Sequence, residues 1–180
     1  MIYPPAEDSF FLAKEVEKYL AKLSREKRLQ LKILDLGAGS GIQSENLLKS
    51  GIKRKQILAS DINSEAQKYL KKLKIKFVKS DLLANIKEKF DLIIFNPPYL
   101  PKNKYDKEKD TSGGVVGDEI ILKFLKQVKS NLSGQIFLLL SSYTPKNKIL
   151  GEIKKQKLKK KKLAEKKLFF ENLEIWTISS

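Results

Sequence analysis

Phe90-Asp91-Leu92-Ile93-Ile94-Phe95-Asn96-Pro97-Pro98-Tyr99 decides how this chain folds and where it works. The apolar run at its start predicts a fully buried strand. Asn-Pro-Pro-Tyr cannot continue that strand, because two consecutive prolines fix φ and remove two backbone donors. Each proline also holds the residue before it extended. The result is a stiff loop at the carboxyl end of a buried strand, where open α/β sheets place their ligands. The loop offers an amide side chain, carbonyls that no neighbouring strand has claimed and an aromatic ring. That set suits holding a planar amide or amino group.

Outward from this stretch, apolar runs alternate with helical spacing. Residues 1–5 are an extended lead-in, since Pro4 and Pro5 preclude a helix there. Apolar residues at helical spacing from Phe10 predict a helix to about Arg28, with Glu7 and Asp8 suiting the dipole of its first turn. Strands are predicted at 31–36, 56–61, 74–79, 90–95 and 135–140. Helices are predicted at 42–50, from an Asn63 cap to about 73, at 118–130, and over a lysine-rich stretch from Pro145 to about Leu163. Residues 167–170 and 173–178 read as a final hairpin turning at Asn172. The polar segment 102–114 reads as a mobile loop over the site. With no repeat and no linker, residues 1–180 read as one α/β domain. The expected architecture is a mostly parallel, seven-stranded, Rossmann-like sheet with helices on both faces and a C-terminal antiparallel hairpin.

Composition narrows the chemistry. The 180 residues are 41% hydrophobic and contain neither cysteine nor histidine. Disulfides, thiolate metal sites and histidine-based catalysis are therefore excluded. No metal site is expected. The net charge of +16, from 37 basic against 21 acidic residues, favours an anionic partner such as RNA or a ribosome-associated assembly; a generally lysine-rich surface would give the same balance. Residues 154–162 are nearly all lysine. They read either as a weak contact with RNA or the ribosome, or as a solvated helix face. No signal segment and no membrane-spanning apolar run is evident, so a cytoplasmic protein away from membranes is expected.

Three strand ends carry groups suited to a nucleotide. Gly37-Ala38-Gly39-Ser40-Gly41 follows the first strand, although its glycine spacing departs from the dinucleotide fingerprint. Asp61 ends the second strand, where a carboxylate accepts hydrogen bonds from ribose hydroxyls. Asp81 ends the third, placed to accept from an adenine amino group with the Leu82 backbone beside it. The alternative for Asp61 and Asp81 is capping of the helices that follow.

Together these stretches resemble class I S-adenosylmethionine-dependent methyltransferases of the Asn-Pro-Pro-Tyr group, which methylate planar nitrogen. Tyr3-Pro4-Pro5-Ala6-Glu7-Asp8-Ser9-Phe10-Phe11-Leu12, with Ser9 in place of a threonine, resembles the start of the archaeal and eukaryotic branch of HemK-type glutamine methyltransferases. Ser112-Gly113-Gly114 with Gly117-Asp118-Glu119 is similar to a glycine loop of that branch. The resemblance covers nearly the whole chain, without the extra amino-terminal helical domain of bacterial members. It implies S-adenosylmethionine as cofactor, held by Ser9, Asp35, Gly37, Ala38, Gly39, Gly41, Asp61, Ile62, Asp81, Leu82 and Asn96. It implies catalysis by Asn96, Pro97, Pro98 and Tyr99, on the glutamine of a Gly-Gly-Gln motif in a class I translation release factor. It also implies a small zinc-binding activator subunit on the edge strand 74–79, although Lys74, Lys76 and Lys79 are charges that protect a lone edge from pairing.

In this reading the Asn96 side-chain oxygen and the Pro97 carbonyl accept the two N–H groups of the glutamine amide, and Tyr99 packs against its plane. The alternative is a nucleic-acid adenine methyltransferase, with the loop gripping a flipped base. The absence of a target-recognition domain weighs against it.

Overall fold

The computed structural model describes residues 2–99 and 117–180; the segment 102–114 lies outside the described residues. The strands are β1 (Ile33–Leu36), β2 (Ile57–Asp61), β3 (Lys76–Lys79), β4 (Phe90–Phe95), β5 (Leu132–Ser141), β6 (Lys159–Lys167) and β7 (Asn172–Ser179). They form one seven-stranded sheet in the order β3-β2-β1-β4-β5-β7-β6. β3 to β5 run parallel, and β7 pairs antiparallel with both β5 and β6. The expected Rossmann-like sheet with its terminal hairpin is therefore present, and β3 is an edge strand.

Helices cover both faces. On one lie α1 (Glu7–Ala21), α3 (Ile42–Lys49) and α4 (Ala66–Lys72), with the short α2 (Arg25–Gln30) following α1. On the other lie α5 (Glu119–Gln127) and α6 (Lys146–Lys155). The period-two alternation of β4 divides the core: Leu92 and Ile94 pack with Leu12, Val16 and Leu47, whereas Ile93 and Phe95 pack with Ile121, Phe124 and Ile149. α5 buries Ile121, Phe124 and Leu125, the stripe expected of a helix lying on a sheet. Among the described residues no helix is long and apolar enough to cross a membrane.

Several predicted boundaries shift, each for a local reason. The first helix ends at Ala21 rather than near Arg28, because Ser24 caps a separate turn and its hydroxyl accepts from Lys27 N–H at 3.3 Å. Asn63 does not cap α4; its side chain accepts from Glu65 N–H at 3.0 Å in a turn that precedes the helix. The largest difference concerns the lysine-rich helix predicted to reach Leu163. α6 stops at Lys155 in a Schellman motif: Leu158 N–H donates to the Ile153 carbonyl and Lys157 N–H to the Lys154 carbonyl. Lys157 takes the left-handed φ of 56° that glycine normally supplies, so no glycine marks the stop. Leu158 then packs in the same core cluster as Ile153. Residues 159–167 become β6, paired along β7, because tertiary pairing overrides weak strand propensity. The hairpin consequently turns through residues 168–171 rather than at Asn172. Leu168 N–H donates to the Glu171 carbonyl there, and Phe169 and Phe170 stand at the tip instead of in a strand.

Candidate active site

A cavity of about 460 Å³ opens along the carboxyl ends of β1, β2, β3 and β4. Every residue proposed from the sequence lines it except Gly41, which precedes α3 with φ +81° and backs onto Leu70 and Leu73. The glycine turn after β1 needs positive φ at Gly37 (67°) and Gly39 (51°), so the backbone meets the cavity without side chains. Asp61 fixes this turn from β2: its Oδ2 accepts from Gly39 N–H and its Oδ1 from Asn63 N–H, both at 2.8 Å. Ala38 N–H donates to the Ser60 carbonyl beside it.

Asp35 sits beneath the turn, 1% exposed. Its Oδ2 accepts from both the N–H (2.9 Å) and the hydroxyl (2.6 Å) of Ser44, tying β1 to α3. Burial pushes its carboxyl up to about 6, against the lowering effect of the Ser44 hydrogen bonds, and the nearby Asp61 adds to the rise.

The Asn-Pro-Pro-Tyr loop is held by a residue the sequence reading missed as functional. Asp8, in the first turn of α1, is buried at 5% exposure. Its Oδ2 accepts from Asn96 Nδ2 at 3.0 Å and from the Tyr99 hydroxyl at 3.4 Å. Its Oδ1 accepts from Ser9 N–H at 2.6 Å and from the Ser9 hydroxyl at 3.2 Å. A carboxylate can only accept, so Asp8 takes the amide nitrogen of Asn96 and turns the other end away. Asn96 Oδ1 is left buried without a partner, on a residue that lines the cavity. An orphaned buried acceptor is costly unless something else satisfies it. Tyr99 is buried, and its hydroxyl is pushed well above the ordinary phenol range, first by burial and then by the Asp8 and Glu171 carboxylates. It stays a neutral donor. In the sequence Asp8 reads only as a dipole-matching acid; its spacing from Asn96 carries no signal.

Gln43 on α3 was also missed. Its Nε2 donates to the Ser9 carbonyl at 2.9 Å, while its Oε1 is buried, unpartnered and on a cavity-lining side chain. At the outer end, Ile62 is 64% exposed and Leu82 adopts φ +51°, a strained value for a side-chain-bearing residue. Asp81 lines the same end, but its Oδ2 also accepts from Lys123 Nζ of α5, with about half of each side chain exposed.

The donor set fits S-adenosylmethionine. The turn, open at Gly37 and Gly39, and the orphaned Gln43 acceptor match an amino-acid end, the carboxylate ending β2 matches a ribose, and the apolar outer wall matches a flat base. Sheet, glycine turn and Asn-Pro-Pro-Tyr loop together define a class I methyltransferase. Residues 16–169 match the family of the methyltransferase small domain. A Methanocaldococcus jannaschii protein, named provisionally as a protein N5-glutamine methyltransferase, is 34% identical over 85% of this chain and 79% of its own. The catalytic subunit mtq2 of the Schizosaccharomyces pombe eRF1 methyltransferase is 32% identical over 73% of this chain and 68% of its own. The solved Encephalitozoon cuniculi Mtq2–Trm112 complex, described as responsible for methylation of the termination factor eRF1, contains a chain that is 26% identical. That chain superposes with a TM-score of 0.81 over 99% of this chain and 98% of its own. The present chain belongs to the methyltransferase small-domain family, among its HemK-type class I members. It is an S-adenosylmethionine-dependent N-methyltransferase.

Proposed function

We propose that this chain, acting as one cytoplasmic methyltransferase domain over residues 1–180, methylates the side-chain amide nitrogen of the glutamine in the Gly-Gly-Gln motif of a class I release factor. The observation that carries the reading is the unpartnered Asn96 Oδ1, oriented by Asp8. A glutamine amide offers two N–H donors and a nitrogen lone pair delocalised into its carbonyl. Asn96 Oδ1 accepts one N–H and the Pro97 carbonyl accepts the other, which sets the position of the nitrogen. Pro98 stiffens the loop, and Tyr99 closes the wall beside the amide plane.

The bound cofactor supplies a methyl group on a sulfonium centre. Gly37, Ala38 and Gly39 receive its amino-acid end at their backbone, with Gly41 setting the start of α3 behind them. Gln43 Oε1 accepts from its amino group. Asp61 accepts from the ribose, Ile62 and Leu82 flank the base, and Asp81 accepts from the base amino group at the cost of its Lys123 contact. Ser9 holds Gln43 and Asp8 together, and Asp35 fixes the glycine turn through Ser44.

Positive charge grows on the glutamine nitrogen during transfer, and both acceptors interact with it more strongly then than before. The methylated amide nitrogen carries one surplus proton and, being strongly acidic in that form, releases it to water, so no strong base is needed and a chain without histidine suffices; positioning supplies much of the rate. The buried Asp8 charge adds to the negative potential at Asn96.

Two partner surfaces accompany this reading. The β3 edge, with half-buried Phe77 and Val78, suits strand addition by a small zinc-binding activator subunit, in keeping with the Trm112 complex of the Encephalitozoon cuniculi relative. The exposed lysines of β6 (Lys159–Lys162), together with the end of α6, suit weak contact with RNA or the ribosome.

Purified protein offered labelled methyl donor with release factor, DNA and RNA tests the reading. Label on the release factor, lost when its Gly-Gly-Gln glutamine is replaced by alanine, is expected. Label on nucleic acid alone overturns it.

A further inference from the structure

We propose that the exposed phenyl pair Phe169 and Phe170 is a docking point for the body of the protein substrate, engaging an apolar side chain outside the target glutamine motif; this rests on the protein-methylating function proposed above. Phe169 is 92% exposed and Phe170 80% exposed, yet their rings lie edge to face with centroids 4.7 Å apart. Apolar rings left so open on a folded surface point to a partner.

The turn that carries them is firmly built. Leu168 N–H donates to the Glu171 carbonyl at 2.8 Å, the Tyr143 hydroxyl to the Phe170 carbonyl at 2.5 Å, and the Ser141 hydroxyl to Glu171 Oε2 at 2.5 Å. Leu168 packs against the buried core. The rings are therefore held outward by a braced backbone.

Their position relates them to the active site. Leu173 of β7 pairs with Ser141 at the carboxyl end of β5, and β5 runs parallel to β4. The 168–171 turn thus emerges at the same end of the sheet as Asn96. A shallow groove joins Phe169, Phe170 and Lys166 to Glu7 at the start of α1. Lys166 pairs with Glu7 at 3.3 Å, and Glu7 adjoins Asp8, which holds Asn96. The groove and the cavity are lined by separate residues, but Glu7 of the groove precedes Asp8 of the site in α1 and both open at the same end of the sheet, so a glutamine loop reaching Asn96 brings its parent protein close to this rim.

The groove is charge-balanced, with Glu7 and Glu171 against Lys166 and Lys167, so it lacks the basic surplus that a nucleic-acid backbone calls for. Glu7 and Glu171 flank the rings, and Glu171 lies close enough to Tyr99 to raise its hydroxyl pKa further. Lys166 is already paired with Glu7, which leaves the two rings as the groove's most open feature and suits them to an apolar side chain of a protein. The β3 edge suited to an activator lies at the far side of the sheet from β6 and β7.

The test is a Phe169→Ser, Phe170→Ser double variant of the full chain. Its steady-state kinetics are measured on whole release factor and on a short peptide containing Gly-Gly-Gln, with cofactor affinity measured by calorimetry. The expected result is a KM for whole factor raised about tenfold or more, with peptide kinetics and cofactor affinity within about twofold of wild type. An unchanged KM for whole factor, with wild type active, overturns the docking role alone. So does equal damage on factor and peptide, or a loss confined to self-association or activator binding in sedimentation. A wild-type protein that labels no release factor overturns the functional reading, and the docking role falls with it.

Discussion

The two ends of the cavity are built differently. At the acceptor end, one buried carboxylate, Asp8, makes four hydrogen bonds and fixes both Asn96 and Tyr99. At the outer end, Ile62 is largely exposed and Asp81 shares its carboxylate with Lys123 in a half-solvated pair. A misplacement of about 1 Å costs a group-transfer enzyme on the order of a hundredfold, so precision belongs where the nitrogen must be placed. A flat base, held there as proposed by apolar contact and a solvated carboxylate, would tolerate looser walls.

Substitutions should break the two ends to different degrees. Asn96→Ala is expected to lower kcat by about a thousandfold or more while cofactor affinity stays within about twofold. A variant that loses cofactor instead would move Asn96 out of the acceptor role. Asp8→Ala is expected to lower kcat by about a hundredfold to a thousandfold with little change in KM or cofactor affinity, because it frees the Asn96 amide to rotate. Parallel loss of cofactor binding in calorimetry would reduce Asp8 to a packing role. At the middle of the cavity, Asp61→Ala should weaken cofactor binding by about 2–4 kcal/mol, since both the ribose acceptor and the Gly39 anchor disappear. Unchanged affinity would remove Asp61 from the site.

Asp35 sharpens the comparison through pH. Its folded pKa is raised to about 6 from the ordinary 3.8. The stability it allows is therefore fully present below the unfolded value and is lost as pH rises through about 6. Asp35→Asn does not titrate. Relative to wild type, its unfolding free energy should rise by up to about 3 kcal/mol between about pH 4 and pH 7, as measured by urea denaturation. Parallel curves would mean Asp35 is not held against its charge. The smallest effect is expected at the outer end: Asp81→Ala should change cofactor affinity by less than about 1 kcal/mol, because the carboxylate is half-solvated and already shared. A larger loss would make the outer end as exacting as the inner one.

What could be read from the sequence follows the same physics. β4 and the loop after it were legible residue by residue, because an apolar run ending in two prolines has few backbone solutions. The strand-end carboxylates Asp61 and Asp81 were legible because sheet topology brings successive strand ends together. Asp8 and Gln43 were missed as functional residues. Their significance lies in contacts with Asn96 and Ser9 across 88 and 34 positions of chain, and nothing local announces them. The lysine-rich stretch misled for a different reason. Its helix stops at Lys155, and Lys157 beyond it takes the left-handed conformation of the closing turn; Gly51, with φ +84°, ends α3 in the same way with the expected residue. A lysine in that place hides the stop, and the strand beyond it is specified only by its partner β7.

The most direct test of the central claim is peptide mass spectrometry of the release factor after reaction with wild-type protein and with Asp8→Ala. A single methyl on the side-chain nitrogen of the Gly-Gly-Gln glutamine, formed about a hundredfold or more slowly by the variant, is the predicted result. A methyl on any other residue, or equal rates for the two proteins, would contradict it.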